Sequence, residues 1–286
     1  MPKLLVYGNC QANPLASLMG IARPDLEVIR LPAVHTLKPS DEKQVNVAVA
    51  NADIIVHQPI SDRFGSLSTD SLRAEHPTKH WLSFPSIYFG GVFPQMFYIR
   101  RPGKPTLHGP LEDYHDRRIV DAFLRGLTVS QAVQEIGRPL GYEADFFAAI
   151  DDVREKERAV DVGSLDVIMD LMPAVRPLNT FNHPTADVLW EVAKRCLHAL
   201  GLPPLEGVQR PKREFLSGLI GAVPAEVLAA AGASWSNPEY IKNGERLEWA
   251  QLIGQFFEVY SQEEEFAELY ARNVARFGTR SVATGL

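Results

Sequence analysis

The stretch Lys3-Leu4-Leu5-Val6-Tyr7-Gly8-Asn9-Cys10-Gln11 decides the fold of this chain. Residues 3–7 form a short apolar run, typical of a buried strand, and Gly8-Asn9 is a turn signal directly after it. A helical pattern follows, with Pro14 suited to the first turn of that helix. The order strand, turn, helix predicts the first half of a parallel βαβ unit.

The same alternation continues through the following 75 residues or so. Further strands are predicted at 26–31, 53–57 and 80–84, and helices at 40–50 and 69–74. Strands that alternate with helices at this spacing predict an α/β fold with an open, doubly wound parallel sheet, as in flavodoxin-like proteins.

Helical patterns dominate the rest of the chain. They cover about 111–126, 128–136, 142–159, 164–171, 185–200 and 245–272. We therefore place a soft boundary near residue 105, between a parallel α/β core of residues 1–105 and a mainly helical part of residues 106–286. The two parts are expected to pack as one integrated domain.

The composition is that of an ordinary globular protein. The chain has 286 residues, of which 45% are apolar and 22% charged, and this is enough to bury a full core. The net charge of -6 argues against a nucleic-acid partner, although it is compatible with a local basic pocket for a phosphorylated ligand.

The sequence favours a reducing compartment and no membrane segment. Only two cysteines occur, Cys10 and Cys196, so a disulfide scaffold is not expected. The apolar start of the chain is too short for a signal peptide, and the uncharged run Trp81–Ile99 contains Pro and Gly residues that make it a poor spanning helix. These features predict a cytoplasmic protein, and they leave its oligomeric state open.

Cys10 is the strongest candidate for a reactive residue. It follows the first predicted strand and opens the first helix, at the sheet edge where ligands bind in open α/β proteins. The positive end of the helix dipole is expected to lower the pKa of its thiol. Nearby backbone N–H groups and the amides of Asn9 and Gln11 could donate to an oxyanion. The alternative is a small buried cysteine that only fills space under the turn. Cys196, in a predicted helix, has no comparable setting and is expected to be inert.

Gln58 is predicted to lie on the same edge of the sheet. It directly follows the strand at 53–57, so its amide could orient a substrate hydroxyl or complete an oxyanion site. A polar residue that caps a turn at the end of a strand is an equally good interpretation.

A nucleophile at this edge needs a base. His183 lies on a loop just before a predicted helix, and Asp187 follows it four residues later. His115 is its main rival, because an adjacent carboxylate could fix the tautomer of its ring. The sequence has neither CxxC nor HExxH spacing, so no metal site is predicted.

An aromatic segment and a basic cluster stand next to each other in the chain. Residues 81–98 carry seven aromatic side chains, including Tyr88 and Phe89, and could form an apolar wall for a pantetheine arm, an adenine or a sugar. Arg100, Arg101 and Lys104 follow, and such cations suit the phosphates of coenzyme A. The alternatives are an ordinary aromatic core and a solvated basic face.

Several motifs together resemble the WcbI-type polysaccharide-biosynthesis proteins. In chain order they are Tyr7-Gly8-Asn9-Cys10-Gln11, His57-Gln58-Pro59-Ile60-Ser61 with Leu67-Ser68-Thr69, Phe84-Pro85-Ser86-Ile87-Tyr88-Phe89, Asp113-Tyr114-His115 and Asn182-His183-Pro184-Thr185. The resemblance covers roughly residues 4–200. It implies an acetyltransferase of bacterial capsule synthesis that binds coenzyme A and its acetyl thioester.

The order of these motifs also resembles SGNH-type hydrolases and acyltransferases. That resemblance implies Cys10 at the nucleophile position, Gln58 at an oxyanion position and His183 as the late base. The sequence departs from the pattern in two ways: the nucleophile is a cysteine, and Thr180 stands where an acid would precede the histidine. Asp187 or Asp113 could orient the base instead.

The combined prediction is acyl transfer, with acetyl as the expected group, from a coenzyme A thioester to a carbohydrate hydroxyl. An esterase or thioesterase on the same architecture is one alternative, and a non-catalytic coenzyme A- or sugar-binding module is another. If Cys10 is a core residue, its replacement by alanine would change stability and little else.

Overall fold

The computed structural model of the chain describes residues 1–277. Its central element is a four-stranded parallel sheet with the strand order β2-β1-β3-β4. The strands are β1 (Lys3–Tyr7), β2 (Glu27–Ile29), β3 (Ile54–His57) and β4 (His80–Ser83). The predicted α/β fold with an open parallel sheet is confirmed.

The chain reverses its winding direction between β1 and β3. From β1 it moves outward to β2, then crosses back to place β3 on the other side of β1, where the two strands pair directly. Such a switch point leaves a crevice at the carboxyl ends of the two strands. Residues that directly follow β1 and β3 therefore meet at one place.

Alternating side chains of β1 cover the two faces of the sheet. Leu4 and Val6 belong to the larger apolar core, and Leu5 and Tyr7 belong to a smaller core on the opposite face. The smaller core contains apolar residues of α2 (Glu42–Asn51). Because successive side chains of a strand point to opposite faces, the short run Leu4–Tyr7 supports both layers.

Helices supply most of the remaining structure. Besides α2 they are α1 (Ala12–Ala22), α3 (Thr69–Glu75), α4 (Arg117–Leu124), α5 (Val129–Glu135), α6 (Tyr142–Glu157), α7 (Leu165–Leu171), α8 (Ala186–Ala199), α9 (Ala225–Ala230), α10 (Trp249–Gln262) and α11 (Phe266–Phe277). Helix α8 packs on α1, and the larger core runs from Leu4 to Leu269. One core thus contains residues from both sides of the predicted boundary near residue 105, and the division into two parts stays a prediction. Residues 278–286 of the second predicted part lie outside the described residues.

Two predicted helices are wrong in part. The segment 111–126 begins with strand β6 (Tyr114–Asp116), which pairs with β5 (Met96–Tyr98), and α4 starts only after Asp116 caps it by accepting a hydrogen bond from Arg118 N at 2.9 Å. The segment 245–272 begins with a strand and then divides into α10 and α11. Glu265 at the break has a φ of 51°, which a continuous helix does not allow.

Short strands that the sequence did not reveal complete the fold. They are β7 (Leu178–Thr180) with β8 (His183–Pro184), and a small sheet of β9 (Leu219–Ile220), β10 (Ile241–Lys242) and β11 (Glu245–Arg246). The uncharged run Trp81–Ile99 is divided between β4, an irregular loop and β5. Within residues 1–277, no helix combines the length and apolar character that crossing a bilayer requires.

Candidate active site

The turn after β1 and the residue after β3 form one hydrogen-bonded unit at the switch point. The Oε1 atom of Gln58 accepts a hydrogen bond from the N–H of Asn9 at 2.8 Å. Its Nε2 group donates to Oε1 of Gln11 at 2.9 Å and to the carbonyl of Pro85 at 3.3 Å. The structure therefore brings Asn9, Gln11 and Gln58 together beside Cys10, at the edge where the sequence places them.

Gly8 is required by the close approach of Gln58. A Cβ atom at Gly8 would lie 2.5 Å from Oε1 of Gln58 and 2.9 Å from its Cδ. Both distances are far inside van der Waals contact, so the amide would have to leave the turn.

We expect Gly8→Ala to destabilise the protein by about 1–3 kcal/mol, the usual cost of forcing an extra methyl group into a packed site. Urea unfolding measures this change. Gly254→Ala is the matched control, because no described atom outside its own helix backbone and chain neighbours lies within 4 Å of its added Cβ, and alanine in a helix interior is favoured over glycine by about 0.5–1 kcal/mol. Equal stability of the two variants would contradict the packing argument.

The side-chain amides of this unit are all engaged with the protein itself. Gln11 donates from Nε2 to the carbonyls of Ile87 and Asn182, both at 2.8 Å, and its Oε1 accepts from the N–H of Ile87 at 3.0 Å. Asn9 donates from Nδ2 to Oγ of Ser86 at 2.9 Å. The amides thus tie the turn to two loops, at 85–87 and at 182. Their predicted roles toward an oxyanion stay predictions.

Cys10 lies in the turn between Asn9 and Gln11, and it is half-buried. Burial raises its pKa above the ordinary value of 9.0, and a backbone hydrogen bond at Cys10 lowers it by less. The prediction that the helix dipole lowers the pKa of Cys10 is therefore wrong, since the net shift is upward. The cost of desolvating the thiolate exceeds the favourable local interaction. In the free protein the thiol is protonated at neutral pH, and it needs a base or a bound substrate to react as a thiolate.

A hydroxyl network lies next to the turn and centres on Asn182. Its Oδ1 accepts hydrogen bonds from Oη of Tyr114 at 2.7 Å and from Oγ1 of Thr180 at 3.0 Å, and its Nδ2 donates to Oη of Tyr98 at 3.1 Å. The carbonyl of Asn182 is the group that Gln11 binds. From the sequence, Tyr98 was predicted only as part of the aromatic segment. Its hydrogen bond to Asn182 could not be predicted, because the two residues are 84 positions apart in the chain.

His183 is next to this network, and no carboxylate among residues 1–277 contacts its ring. Its ring stands edge-on to that of Tyr114, with the ring centres 6.1 Å apart. Burial lowers the pKa of His183 to about 4, so the ring is neutral at pH 7, and its Nδ1 has no hydrogen-bond partner within residues 1–277. Asp187 instead pairs with Arg210 at 2.7 Å, and Asp113 contacts His108 at 3.4 Å. Neither candidate acid orients the histidine in this structure.

His115 lies in the protein core. Its Nε2 is 2.9 Å from the carbonyl of Leu107, and its Nδ1 is 3.0 Å from Oη of Tyr260 in α10. Burial lowers the pKa of His115 to about 4, and its side chain has no solvent exposure. These contacts join β6 to α10, and they give His115 a place in the packing between these two elements.

The predicted basic cluster lines a cavity of about 580 Å³. Arg100, Arg101 and Lys104 lie there together with three arginines that sequence reasoning missed, Arg63, Arg272 and Arg276. Arg101 is held by the carbonyl of Pro105 at 2.8 Å and by Glu263 at 3.3 Å. Two of the additional arginines come from α11, at the far end of the chain, so no local pattern could connect them with residue 100.

The aromatic segment is mainly core. Phe89 is fully buried and packs against Phe146, so it cannot contact a bound ligand in this conformation. Tyr88 is half-buried against Phe181, with the ring centres 5.0 Å apart. Among residues 1–277, no three His, Cys, Asp or Glu side chains cluster closely enough to hold a metal ion.

This fold and site define an open α/β protein that presents a cysteine, set in a cluster of amides, at the switch point of its sheet. Residues 3–205 match the family described as polysaccharide biosynthesis enzyme WcbI, and the chain therefore belongs to this family of polysaccharide biosynthesis enzymes. The family resemblance predicted from the motifs is confirmed.

A solved structure shares the fold over nearly its whole length. It is a structure of WcbI, described as a novel polysaccharide biosynthesis enzyme, with a TM-score of 0.82 and 21% sequence identity. The match covers 97% of this chain and 96% of that one. The WcbI structure is described as native protein without a disulfide bond between coenzyme A and one of its cysteines. No curated protein matches this chain.

Proposed function

We propose that this protein transfers an acyl group, acetyl above all, from a coenzyme A thioester to a carbohydrate hydroxyl in the synthesis of a capsular or other surface polysaccharide. The observation that carries the proposal is the position of Cys10 at the switch point, in the turn between Asn9 and Gln11, which the amide hydrogen bonds hold in place. The description of the related structure adds support, because it names a disulfide bond between coenzyme A and a cysteine of that protein, a bond that the structure itself lacks. A coenzyme A sulfur that can reach Cys10 would place its acyl carbon there as well.

The residues present fit the phosphates of coenzyme A. Six cationic side chains line the basic cavity, although the whole chain carries a net charge of -6. Guanidinium groups bind phosphate oxygens through paired, charge-assisted hydrogen bonds. In the proposal, Arg100, Arg101 and Lys104 bind these phosphates, and the three additional arginines surround them.

A short series of contacts connects the cavity with Cys10. The Arg100 guanidinium is 5.9 Å from the centre of the Tyr98 ring. The Tyr98 hydroxyl binds Asn182, and the Asn182 carbonyl binds Gln11, the neighbour of Cys10 in the chain. A pantetheine arm that runs along Tyr98 would bring the thioester to the turn, and Tyr88 lies on the same aromatic cluster through Phe181.

Two chemical routes are compatible with this geometry. In the first, His183 takes the thiol proton, the Cys10 sulfur forms a bond to the acyl carbon, and the bond from that carbon to the coenzyme A sulfur breaks. The leaving coenzyme A sulfur takes the proton from His183; the acyl group then passes from Cys10 to the sugar oxygen, the bond between that carbon and the Cys10 sulfur breaks, and the sugar proton returns to the Cys10 thiol. In the second route His183 takes the proton of the sugar hydroxyl, the sugar oxygen bonds directly to the acyl carbon, and the coenzyme A sulfur leaves and takes up that proton. The neutral ring of His183 can accept a proton in either case.

Calorimetric titration with coenzyme A and acetyl-coenzyme A tests the proposal. We expect micromolar or tighter binding of both, and Arg101→Ala should weaken it by roughly tenfold or more, because a hydrogen bond between charged groups contributes about 1.5–3 kcal/mol. Arg158→Ala is the control, since Arg158 is 72% exposed and pairs with Glu155 on α6.

The result can contradict the proposal in two ways. No detectable binding of either compound would remove coenzyme A as a substrate. Equal weakening by Arg101→Ala and Arg158→Ala would remove the basic cavity from the binding site. Release of free acetate from acetyl-coenzyme A without any acceptor would instead favour a hydrolase.

A further inference from the structure

The basic cavity is built from two segments that lie far apart in the chain. Residues 100–104 follow β5, whereas Arg272 and Arg276 come from α11. None of the described residues that line this cavity is acidic, so its cations repel one another across it. Other contacts therefore have to hold α11 against residues 100–104 before the cations can act as one site.

We propose that Asn273 is a positioning residue for phosphate binding: it fixes α11 on the backbone of Arg100 and thereby places Arg272 and Arg276 at the basic cavity. Asn273 acts through these two arginines and needs no contact of its own with the ligand. The identification of the bound phosphates as those of coenzyme A rests on the proposed function.

The Asn273 side chain binds both backbone groups of one residue in the other segment. Its Oδ1 atom accepts a hydrogen bond from the N–H of Arg100 at 2.8 Å, and its Nδ2 group donates to the carbonyl of Arg100 at 3.0 Å. Nδ2 also donates to the carbonyl of Leu269, one turn earlier in α11, at 2.9 Å. Because Asn273 is only 6% exposed, these bonds are shielded from water. Three hydrogen bonds from one amide thus hold α11 at a defined position on Arg100.

Few other side chains of α11 are deeply buried. Between residues 266 and 276, the buried side chains besides Asn273 are those of Phe266 and Leu269. Phe266 stacks on Tyr260 with the ring centres 4.3 Å apart, and this contact holds the start of the helix. An element with few buried apolar contacts opens at a low cost in free energy. The docking of α11 is therefore sensitive to the loss of the Asn273 hydrogen bonds.

Both arginines of α11 depend on the docking that Asn273 provides. Arg272 is its neighbour in the chain, and Arg276 lies three positions later, on the same face of the helix as Asn273. When α11 leaves the backbone of Arg100, a phosphorylated ligand keeps only the cations of residues 100–104 and Arg63. Its affinity then falls by the contribution of Arg272 and Arg276.

Titration of inorganic pyrophosphate and of coenzyme A against Asn273→Ala tests the inference. We expect both dissociation constants to rise about tenfold, the usual effect of losing a hydrogen bond between charged groups. The KM for acetyl-coenzyme A should rise by the same factor at unchanged kcat, because the phosphates are bound equally before and during the reaction. Alanine favours the helical state of α11, so the substitution removes the docking bonds without opposing the helix.

Arg272→Ala and the double variant separate positioning from a merely structural role. Arg272→Ala by itself should weaken pyrophosphate binding about tenfold. In the Asn273→Ala background Arg272 no longer lies at the cavity, so the second substitution should change the dissociation constant by less than about twofold. If Asn273 only stabilised the fold, Arg272→Ala would have its full effect in both backgrounds.

Asn51→Ala is the matched control, because Asn51 is exposed at the end of α2 and does not line the cavity. Thermal melting shows whether each variant is folded. Three results would overturn the inference: Asn273→Ala binds pyrophosphate as Asn51→Ala does, the losses add fully in the double variant, or the unmodified protein does not bind pyrophosphate.

The two probes distinguish this inference from the proposed function. If pyrophosphate binding follows the expected pattern but coenzyme A does not bind, the proposed function fails and the positioning role of Asn273 stands. If coenzyme A binds equally well to the unmodified protein and to Asn273→Ala, the positioning role fails and coenzyme A remains the substrate.

Discussion

Replacement of Cys10 by alanine is expected to lower acyl transfer by at least ~1000-fold, while the dissociation constant for coenzyme A changes by less than about threefold. The thiol is proposed to form the bond to the acyl carbon, so its loss removes the first route altogether. The phosphates are proposed to bind at Arg100, Arg101 and Lys104, which line a cavity away from the sulfur. Turnover is followed as release of coenzyme A thiol, and binding by calorimetry.

Cys196→Ala is the control for loss of a cysteine. Cys196 is fully buried in α8, and burial raises the pKa of its thiol to about 12, so its replacement should leave turnover unchanged. Cys10→Ser separates the two routes, because a serine lacks an easily formed anion and should retain only a trace of activity if an acyl-enzyme forms. Turnover of Cys10→Ala near that of the unmodified protein would rule out the acyl-enzyme and leave direct attack by the sugar.

Asp116→Ala is expected to destabilise the protein by about 3–5 kcal/mol, because it leaves the charge of Arg118 buried without the carboxylate that balances it. The Asp116 carboxylate is fully buried, and it accepts hydrogen bonds from Nη2 of Arg118 at 2.6 Å and from Oη of Tyr240 at 2.8 Å. It also caps α4. One carboxylate thus joins β6, α4 and the segment before β10.

Urea unfolding measures this loss, with Asp151→Ala as the control. Asp151 and Arg154 are 77% and 60% exposed, and such a pair contributes about 0–1 kcal/mol. The double variant Asp116→Ala/Arg118→Met removes the unpaired charge and should recover part of the stability. An Asp116→Ala loss no larger than that of Asp151→Ala would contradict the role of this buried group.

Local sequence patterns predicted the positions of Cys10 and Gln58 at the edge of the sheet. Cys10 and Gln58 follow strands that the sequence marks by short apolar runs, and parallel strands end at the same sheet edge. That Cys10 and Gln58 lie close together could therefore be predicted, although they are 48 positions apart in the chain. The hydrogen bonds among their amides could not, because a polar residue at the end of a strand can cap a turn, bind a ligand or do both.

Predictions failed where long-range packing decides the outcome. His115 carries adjacent acids in the sequence, but α10 covers it and supplies Tyr260 as its partner from 145 positions away. The first part of the helix predicted over 111–126 instead contains strand β6, which pairs with β5. The arginines of α11 join the basic cavity only because that helix folds back onto the segment after β5, with Asn273 bonded to the backbone of Arg100.

The sequence by itself determined the doubly wound parallel sheet, the cysteine at the edge where its strands end, and the family. Each of these follows from the periodicity of a few residues or from motifs in a fixed order. Only the tertiary structure decided the electrostatic state of the site: the raised pKa of Cys10, the neutral ring of His183, and the hydroxyl network around Asn182. The physical reason is that desolvation and hydrogen bonding depend on which distant segments cover a group, and this information is absent from its neighbours in the chain.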